Sequence, residues 1–433
     1  MNSVSLLAGV VPAVLLTLGG LSVAWLAAGR KKHLLLVLPA AAVAAAGLTY
    51  ALFLLAEEVF RWWNNSLPRI LYVYAGLGIL ALILAVVRLR AVDSVRPRVL
   101  ALVAALLALL AVAVTVNMAY AQYPTLGSLL SPPRPTDEEV PDRDPSSAAG
   151  LPATTDANWS PPGNMPAGGR LYQADIPGSV SGYASNPGLV YLPPAYLADP
   201  PAVNLPVLVL IHGQPGSPKD WLVGGQLLEV MDAYAAAHQG LAPVVVMPDA
   251  SNANNANWPL CMDTDTSASG TYLAVDVPAW VQRHLASGLS GGHQWAVAGY
   301  SYGGTCAMQL ATNFPDAYPT FIDIAGEAEP TVPQGESQLI KTYFGGDESR
   351  FKAQNALDLL AARSFPDSAG IVAVGVDDSV YEPQGQRVYD AAKAAGMDVS
   401  IQKLPGGHSW QVWKAGLANN LDWLCRRLGI LGS

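Results

Sequence analysis

The sequence predicts an α-helical membrane bundle of four transmembrane helices, followed by an α/β domain with a mostly parallel central sheet. Three observations carry that expectation. Four long apolar runs without a charge fill the first 121 residues. Beyond them, short β-branched runs alternate with helical stretches. One such strand-to-helix turn carries a glycine-flanked serine, Gly299-Tyr300-Ser301-Tyr302-Gly303-Gly304.

The chain has 433 residues, of which 51% are hydrophobic and 13% charged, about half the usual charged share of roughly 25%. That excludes a disordered chain, which needs low hydrophobicity and high charge. A net charge of −9 argues against a nucleic-acid partner, whose phosphates call for a basic face. Three cysteines in this length exclude a disulfide scaffold. The charge is unevenly spread. Residues 1–121 carry nine basic and three acidic side chains, a net +6, which leaves −15 for the rest.

The spans fall at about 5–28, 34–55, 69–87 and 99–121, each built on an uncharged run near the roughly 20 residues a helix needs to cross a bilayer. Only a helix satisfies its own backbone there. Arg30, Lys31 and Lys32 follow the first span, and Arg88, Arg90, Arg96 and Arg98 lie between the third and fourth. Positive loops stay on the cytoplasmic side. The N-terminus is therefore expected outside, as is everything beyond Tyr120. The second loop, with Glu57, Glu58, Arg61 and Arg69, would lie outside, with Trp62, Trp63, Tyr72 and Tyr74 forming an interfacial aromatic belt. Met1 to Leu6 carries no basic stretch, so a cleaved signal peptide is not expected. No ionisable group sits deep in a span. Such groups mark transport paths, so the bundle reads as an anchor, or as a surface for a membrane-protein partner, in contact with the lipid bilayer.

Residues 122–168 read as a linker rich in proline, with Pro132, Pro133, Pro135, Pro141, Pro145, Pro161 and Pro162. Such tracts make semi-rigid spacers. This one either holds the next domain off the outer face or packs against it.

Residues 169–433 form the second domain. Apolar runs at 205–211, 243–247, 294–298, 321–325 and 371–374 read as strands buried on both faces, as in parallel sheets. Ligands of such sheets bind beyond the carboxyl ends of the strands, where the motifs fall. The serine motif is G-x-S-x-G between a strand and a helix, the context of a nucleophile elbow. The turn presents Ser301 at a helix N-terminus, where peptide dipoles favour developing negative charge.

A serine nucleophile needs a base. Of six histidines, His33 lies in a membrane loop, and His238, His284 and His293 lie in or beside helices ahead of the elbow. His212 ends the strand at 205–211 and is placed to brace the oxyanion loop. His408 remains, in Pro405-Gly406-Gly407-His408-Ser409-Trp410. It fits the chain order serine, acid, histidine of hydrolases with this elbow. The acid should follow the strand at 371–374. Asp378 is the choice, with Asp377 and Glu382 as rivals. The oxyanion hole needs two backbone N–H groups. Tyr302 supplies one and Gln214 the other, with Gly213 as the alternative. Trp221, Trp258, Trp410 and Trp413 are candidates for lining an acyl or sugar site, and the Asn-rich stretch 251–258 for holding an acceptor sugar. No metal cluster or phosphate-binding loop is visible, so no cofactor is expected. Of Cys261, Cys306 and Cys425, one pair has the option of bridging in an oxidising compartment. Cys306 reads as packing on the elbow helix.

These motifs bring a resemblance into view. LPVLVLIHGQPGSPKDW (205–221), VVVMPDASN (244–252), TYLAVDVPAWVQRHL (271–285), AGYSYGGTCAMQLA (298–311), FGGD (344–347), VAVGVDDS (372–379) and LPGGHSWQVW (404–413) resemble the esterase D-type putative esterases, the group that includes the secreted mycolyltransferases. The likeness spans about 220 residues of the second domain and none of the membrane part. It implies an α/β-hydrolase fold, Ser301, Asp378 and His408 as a triad, and an acyl-enzyme that ends in hydrolysis or in transfer to a sugar hydroxyl. In the mycolyltransferases the acid is a glutamate reached differently. The expectation is therefore a membrane-anchored, extracytoplasmic serine esterase or acyltransferase on acyl esters or glycolipids of the envelope. Its alternatives are a non-catalytic wall-binding relative and a subunit of a membrane complex. Serine and histidine both in place favour the enzyme.

Overall fold

A computed structural model describes residues 4–60, 67–148, 150–251, 253 and 258–432. Arg61 of the second loop and Trp62 and Trp63 of the expected aromatic belt lie outside these residues, as do Asn252, Asn254, Asn255 and Asn257 of the Asn-rich stretch. The chain divides into two compact units, Met1–Ser131 and Pro132–Ser433.

Among its described residues, the first unit holds four helices long and apolar enough to cross a membrane: α1 (Val10–Ala27), α2 (His33–Val59), α3 (Arg69–Ala91) and α4 (Val95–Tyr120). The side chains buried between them are mostly small, among them Ala41, Ala81, Ala85, Ala101, Ala104 and Ala108. Leu21, Leu35, Val43, Val73 and Leu106 face outward. That inversion of a water-soluble core suits helices in lipid, where association rests on close backbone approach rather than on apolar burial. A methyl group on Gly19 would lie 2.3 Å from Ala111 Cβ, which shows how closely α1 and α4 meet. Arg88 explains one of the charged ends. Its guanidinium donates to the Leu26 and Trp25 carbonyls at the end of α1 and lies 4.6 Å over the Trp25 ring, supplying donors to carbonyls that a helix end leaves unpaired. At the other end, the Tyr72 hydroxyl donates to Glu57 at 2.5 Å.

The Pro-rich stretch packs on the second unit from Pro132 onward. Backbone N–H groups of Thr136, Arg143, Thr154 and Asp156 donate to carbonyls of Leu171, His284, Val203 and Ile430. Extended backbone has no internal hydrogen bonds, so its donors find partners on the domain surface. The Arg143 guanidinium adds a cation–π contact, 3.8 Å over the Tyr196 ring.

The second unit is built on one eight-stranded sheet: β1 (Arg170–Ala174), β2 (Gly188–Leu192), β3 (Val207–Ile211), β4 (Val244–Met247), β5 (Trp295–Tyr300), β6 (Thr320–Ile324), β7 (Ala369–Gly375) and β8 (Asp398–Leu404). The spatial order is β1-β2-β4-β3-β5-β6-β7-β8. Among the described residues of this sheet, the β1–β2 and β2–β4 pairs are antiparallel and the other five pairs are parallel. This is the α/β-hydrolase arrangement. Every residue of β3, β4, β5 and β6 is buried, as expected of strands covered on both faces. The helices that matter for the site are α5 (Leu227–Ala237), α6 (Val277–Leu285), α7 (Tyr302–Asn313), α8 (Glu382–Ala394) and α9 (Trp410–Ala418). The antiparallel strands β1 and β2 had no counterpart among the expected strands. β1 is short and mixed in polarity, and β2 is a five-residue run closed in by Pro187 and Pro193, which makes it hard to tell from a loop.

Candidate active site

Ser301 stands between β5 and α7 with φ 54° and ψ −124°, a conformation L-residues adopt only when the surroundings impose it. The surroundings here are two glycines. A methyl group on Gly299 would lie 2.2 Å from the Gly303 carbonyl oxygen, and one on Gly303 would lie 2.2 Å from that of Ile211. The chain can turn this sharply only because both side chains are missing. The Ser301 N–H donates to Ile324 O at 2.9 Å, fixing the turn to the end of β6.

Three loops at the carboxyl ends of β5, β7 and β8 converge on that turn. His408 Nε2 lies 2.8 Å from Ser301 Oγ. His408 Nδ1 lies 2.9 Å from Asp378 Oδ2. With the serine hydroxyl donating to Nε2, Nδ1 carries the proton and donates to the carboxylate. Asp378 is buried, and its Oδ1 accepts the N–H groups of Val380 at 3.3 Å and Tyr381 at 3.1 Å. Backbone donors of this kind stabilise an ionised carboxylate. The two rivals are engaged elsewhere. Asp377 is exposed, and Glu382 pairs with Lys403 at 2.5 Å. The Tyr381 ring stacks on His408, with centroids 3.8 Å apart and planes 15° apart. Trp413 meets the imidazole at 86° and 5.0 Å. Tyr381 is a functional candidate that the sequence alone does not single out.

The loop after β3 lies against the elbow through Ile211, His212 and Gly303. Tyr302 is the first residue of α7, so its N–H belongs to the set that a helix leaves without an internal acceptor. Gln214 follows in the β3 loop, joined to Pro215 by a cis peptide bond. His212 is buried, with Nδ1 2.8 Å from Gly213 O and Nε2 3.3 Å from Asp249 Oδ1. Burial disfavours charge on Asp249, yet hydrogen bonds from His212, Ser251 and Asn186 outweigh it and hold the carboxyl well below the usual range. The pair thus ties the β3 loop to the β4 loop.

The tryptophans divide into two groups. Trp258 is half-buried, edge-on to Tyr302 at 5.9 Å and to His212 at 6.3 Å, and its carbonyl accepts from the Tyr343 hydroxyl. It remains beside the elbow. Trp221 and Trp410, expected to line a substrate site, do not. Trp221 is fully buried and donates its indole N–H to Ile211 O. Trp410 is 2% exposed and packs on Gly224, where a methyl group would lie 2.3 Å from its Nε1. Both rings meet Tyr300, at 5.2 and 4.5 Å. They are core side chains beneath the elbow, because a ring near a loop in sequence can still point into the sheet–helix layer. Trp410→Ala should therefore lower stability by about 3–5 kcal/mol while leaving KM for ester substrates near the wild-type value. Chemical denaturation alongside steady-state kinetics reads both.

Cys261 and Cys306 form a disulfide, a pairing not expected from the sequence, in which Cys306 reads as packing. It joins the β4 loop that carries Trp258 to α7, five residues beyond Ser301. Cys425 is free and buried, and burial pushes its thiol up to about 12. Among the described residues, no group of three His, Cys, Asp or Glu is arranged to hold a metal ion.

Asp323, one strand over from Gly299 in the β5–β6 register, is fully buried. Burial pushes its carboxyl up to about 7, against the opposing hydrogen bond from the Gly326 N–H. An acid whose folded pKa exceeds its unfolded value near 4 favours folding below that unfolded value, and the gain is lost as pH rises through the folded one. The Asp323 contribution to stability should fall between about pH 4 and pH 7. Asp323→Asn should flatten the Tm-against-pH curve across that interval, as differential scanning calorimetry would register.

A family model described as putative esterase matches residues 185–424. An uncharacterized protein of Corynebacterium glutamicum is 33% identical over 400 residues, covering 90% of this chain and 89% of that protein. Coverage that wide carries the likeness into the helical unit as well as the sheet domain. An acetyl esterase of Caldicellulosiruptor saccharolyticus is 21% identical over 237 residues, 52% of this chain and 84% of that enzyme. Among solved structures, a ferulic acid esterase is similar with a TM-score of 0.50 and 18% identity, over 60% of this chain and 99% of its own. An S-formylglutathione hydrolase from Agrobacterium tumefaciens is similar with a TM-score of 0.51 and 20% identity, over 61% of this chain and 98% of its own. At such identities the likeness is one of fold.

Proposed function

The chain belongs to the putative esterase family, and from that premise we propose that it is a membrane-anchored serine esterase or acyltransferase. It acts on the outer face of the membrane, on ester-linked acyl groups of envelope lipids or glycolipids. The observation that carries the reading is the unbroken relay from Ser301 Oγ through His408 to Asp378, with links of 2.8 and 2.9 Å.

In the acylation step Ser301 Oγ attacks the ester carbonyl carbon, and His408 Nε2 takes its proton. Asp378 stabilises the imidazolium that forms and holds the ring in the required tautomer. The carbonyl oxygen gains negative charge in the pocket bounded by the Tyr302 and Gln214 N–H groups, aided by the N-terminus of α7. The tetrahedral species collapses as His408 returns the proton to the departing alcohol. Water or an acceptor hydroxyl then gives its proton to His408 and attacks the acyl-enzyme, and Ser301 is released. Trp258, half-buried beside Tyr302, supplies an apolar wall for the acyl or acceptor group.

Two features support the outer face. The basic residues cluster in the first and third loops of the helical unit, which favours a cytoplasmic side for those loops. The Cys261–Cys306 bridge suits an oxidising compartment. The proposal is tested with the full chain purified in detergent and supplied with p-nitrophenyl esters of graded chain length. Steady release of nitrophenol is expected, together with an exterior response from a topology reporter fused after Tyr120. A folded preparation inert towards every ester, or a cytoplasmic reporter response, would contradict it.

A further inference from the structure

We propose that Tyr381 is a positioning residue for His408, whose ring face favours the imidazolium formed during acyl transfer. This rests on the triad reading above and deepens it.

Both imidazole nitrogens are engaged in the plane of the ring, one by Ser301 and one by Asp378. What fixes the ring against rotation out of that plane must come from its faces. Tyr381 covers one of them at 3.8 Å with nearly parallel planes. The same residue holds the acid, since its N–H donates to Asp378 Oδ1. Ring and carboxylate are thereby set by a single residue on the short loop between β7 and α8. An aromatic face carries negative charge density. It attracts a cation more than a neutral ring. The contact therefore strengthens at the moment His408 accepts the serine proton, and only such differential interactions raise kcat. The polar groups that bear on His408 fit this account, and of the two only Asp378 is a carboxylate. Asp378 faces it from the β7 loop and Ser301 from the elbow. Of the other acids nearby in sequence, Asp377 is exposed and Glu382 is bound to Lys403. The Tyr381 face is thus a second source of stabilisation beside the Asp378 carboxylate.

The test compares Tyr381→Leu and Tyr381→Phe in the full chain, with a soluble nitrophenyl ester and a full pH profile. Leucine keeps most of the bulk and the backbone N–H but loses the aromatic face. Its kcat should fall by about tenfold, with KM within about twofold of wild type. The acid limb of its kcat/KM profile should move to lower pH, because the protonated imidazole has lost a stabilising neighbour. Phenylalanine should restore kcat to within about twofold and return the limb to its wild-type position. An unmoved acid limb in Tyr381→Leu would overturn the proposal, and so would a phenylalanine variant as slow as the leucine one. Wild-type activity separates this outcome from failure of the triad reading, in which the unmodified chain would not hydrolyse the ester.

Discussion

Ser301→Ala is expected to lower kcat for ester hydrolysis by on the order of 10⁶-fold, with little change in KM. The expectation follows from what remains when one oxygen is removed. The elbow backbone and the imidazole stay, as do the Tyr302 and Gln214 N–H groups proposed to polarise the carbonyl, so substrate binding is expected to persist. The covalent path is gone, because the hydroxyl that meets His408 Nε2 at 2.8 Å is the one removed. Alanine also fits the local backbone as well as serine does, since the strained φ of 54° is imposed by the flanking glycines and by the Ser301 N–H bond to Ile324 O. A folded, inactive protein is the expected product, and matched thermal melts confirm that the loss is chemical. A variant that retains a tenth of the activity would show that Ser301 is not the nucleophile.

Asp378→Asn should cost about 10⁴-fold in kcat. The neutral amide neither offsets the imidazolium charge nor holds Nδ1–H in the donor role, and with the wrong tautomer Nε2 no longer accepts the serine proton. Asp377→Asn and Glu382→Gln should stay within about twofold of wild type, because Asp377 is exposed and Glu382 is bound to Lys403; surface substitutions of this kind shift little. Kinetics on the three variants side by side assign the acid. A large loss at Asp377 or Glu382, with Asp378→Asn active, would move the third member of the relay.

What could be read from the sequence follows how locally each feature is encoded. The membrane helices and the parallel strands β3 to β7 are contiguous apolar runs, legible because burial of a whole segment leaves an unbroken signature, whereas β8 at the sheet edge alternates in polarity. Ser301 and His408 sit in short linear signals, and their order along the chain follows from the fold. Asp378 was harder, since three acids fall within six residues and only the path of the backbone after Gly375 decides which carboxyl meets the imidazole. Trp221 and Trp410 were placed by their nearness to loops, but the direction of a ring depends on the layer packed behind it. Tyr381 had no pattern to betray it, because stacking on His408 joins residues 27 apart that only the β7 and β8 loops bring together. The Cys261–Cys306 bridge is likewise a tertiary fact. The Pro-rich stretch was legible as extended backbone, while its partners, Leu171, His284, Val203 and Ile430, come from four separate parts of the fold.

The most direct test of the central claim is covalent. A fluorophosphonate reacts only with a serine hydroxyl that a neighbouring base has made nucleophilic. Incubation of the full chain followed by peptide mass mapping should place one phosphonyl adduct on Ser301, absent from Ser301→Ala and strongly slowed in His408→Ala. An adduct on a different serine, or none on a folded sample, would contradict the account.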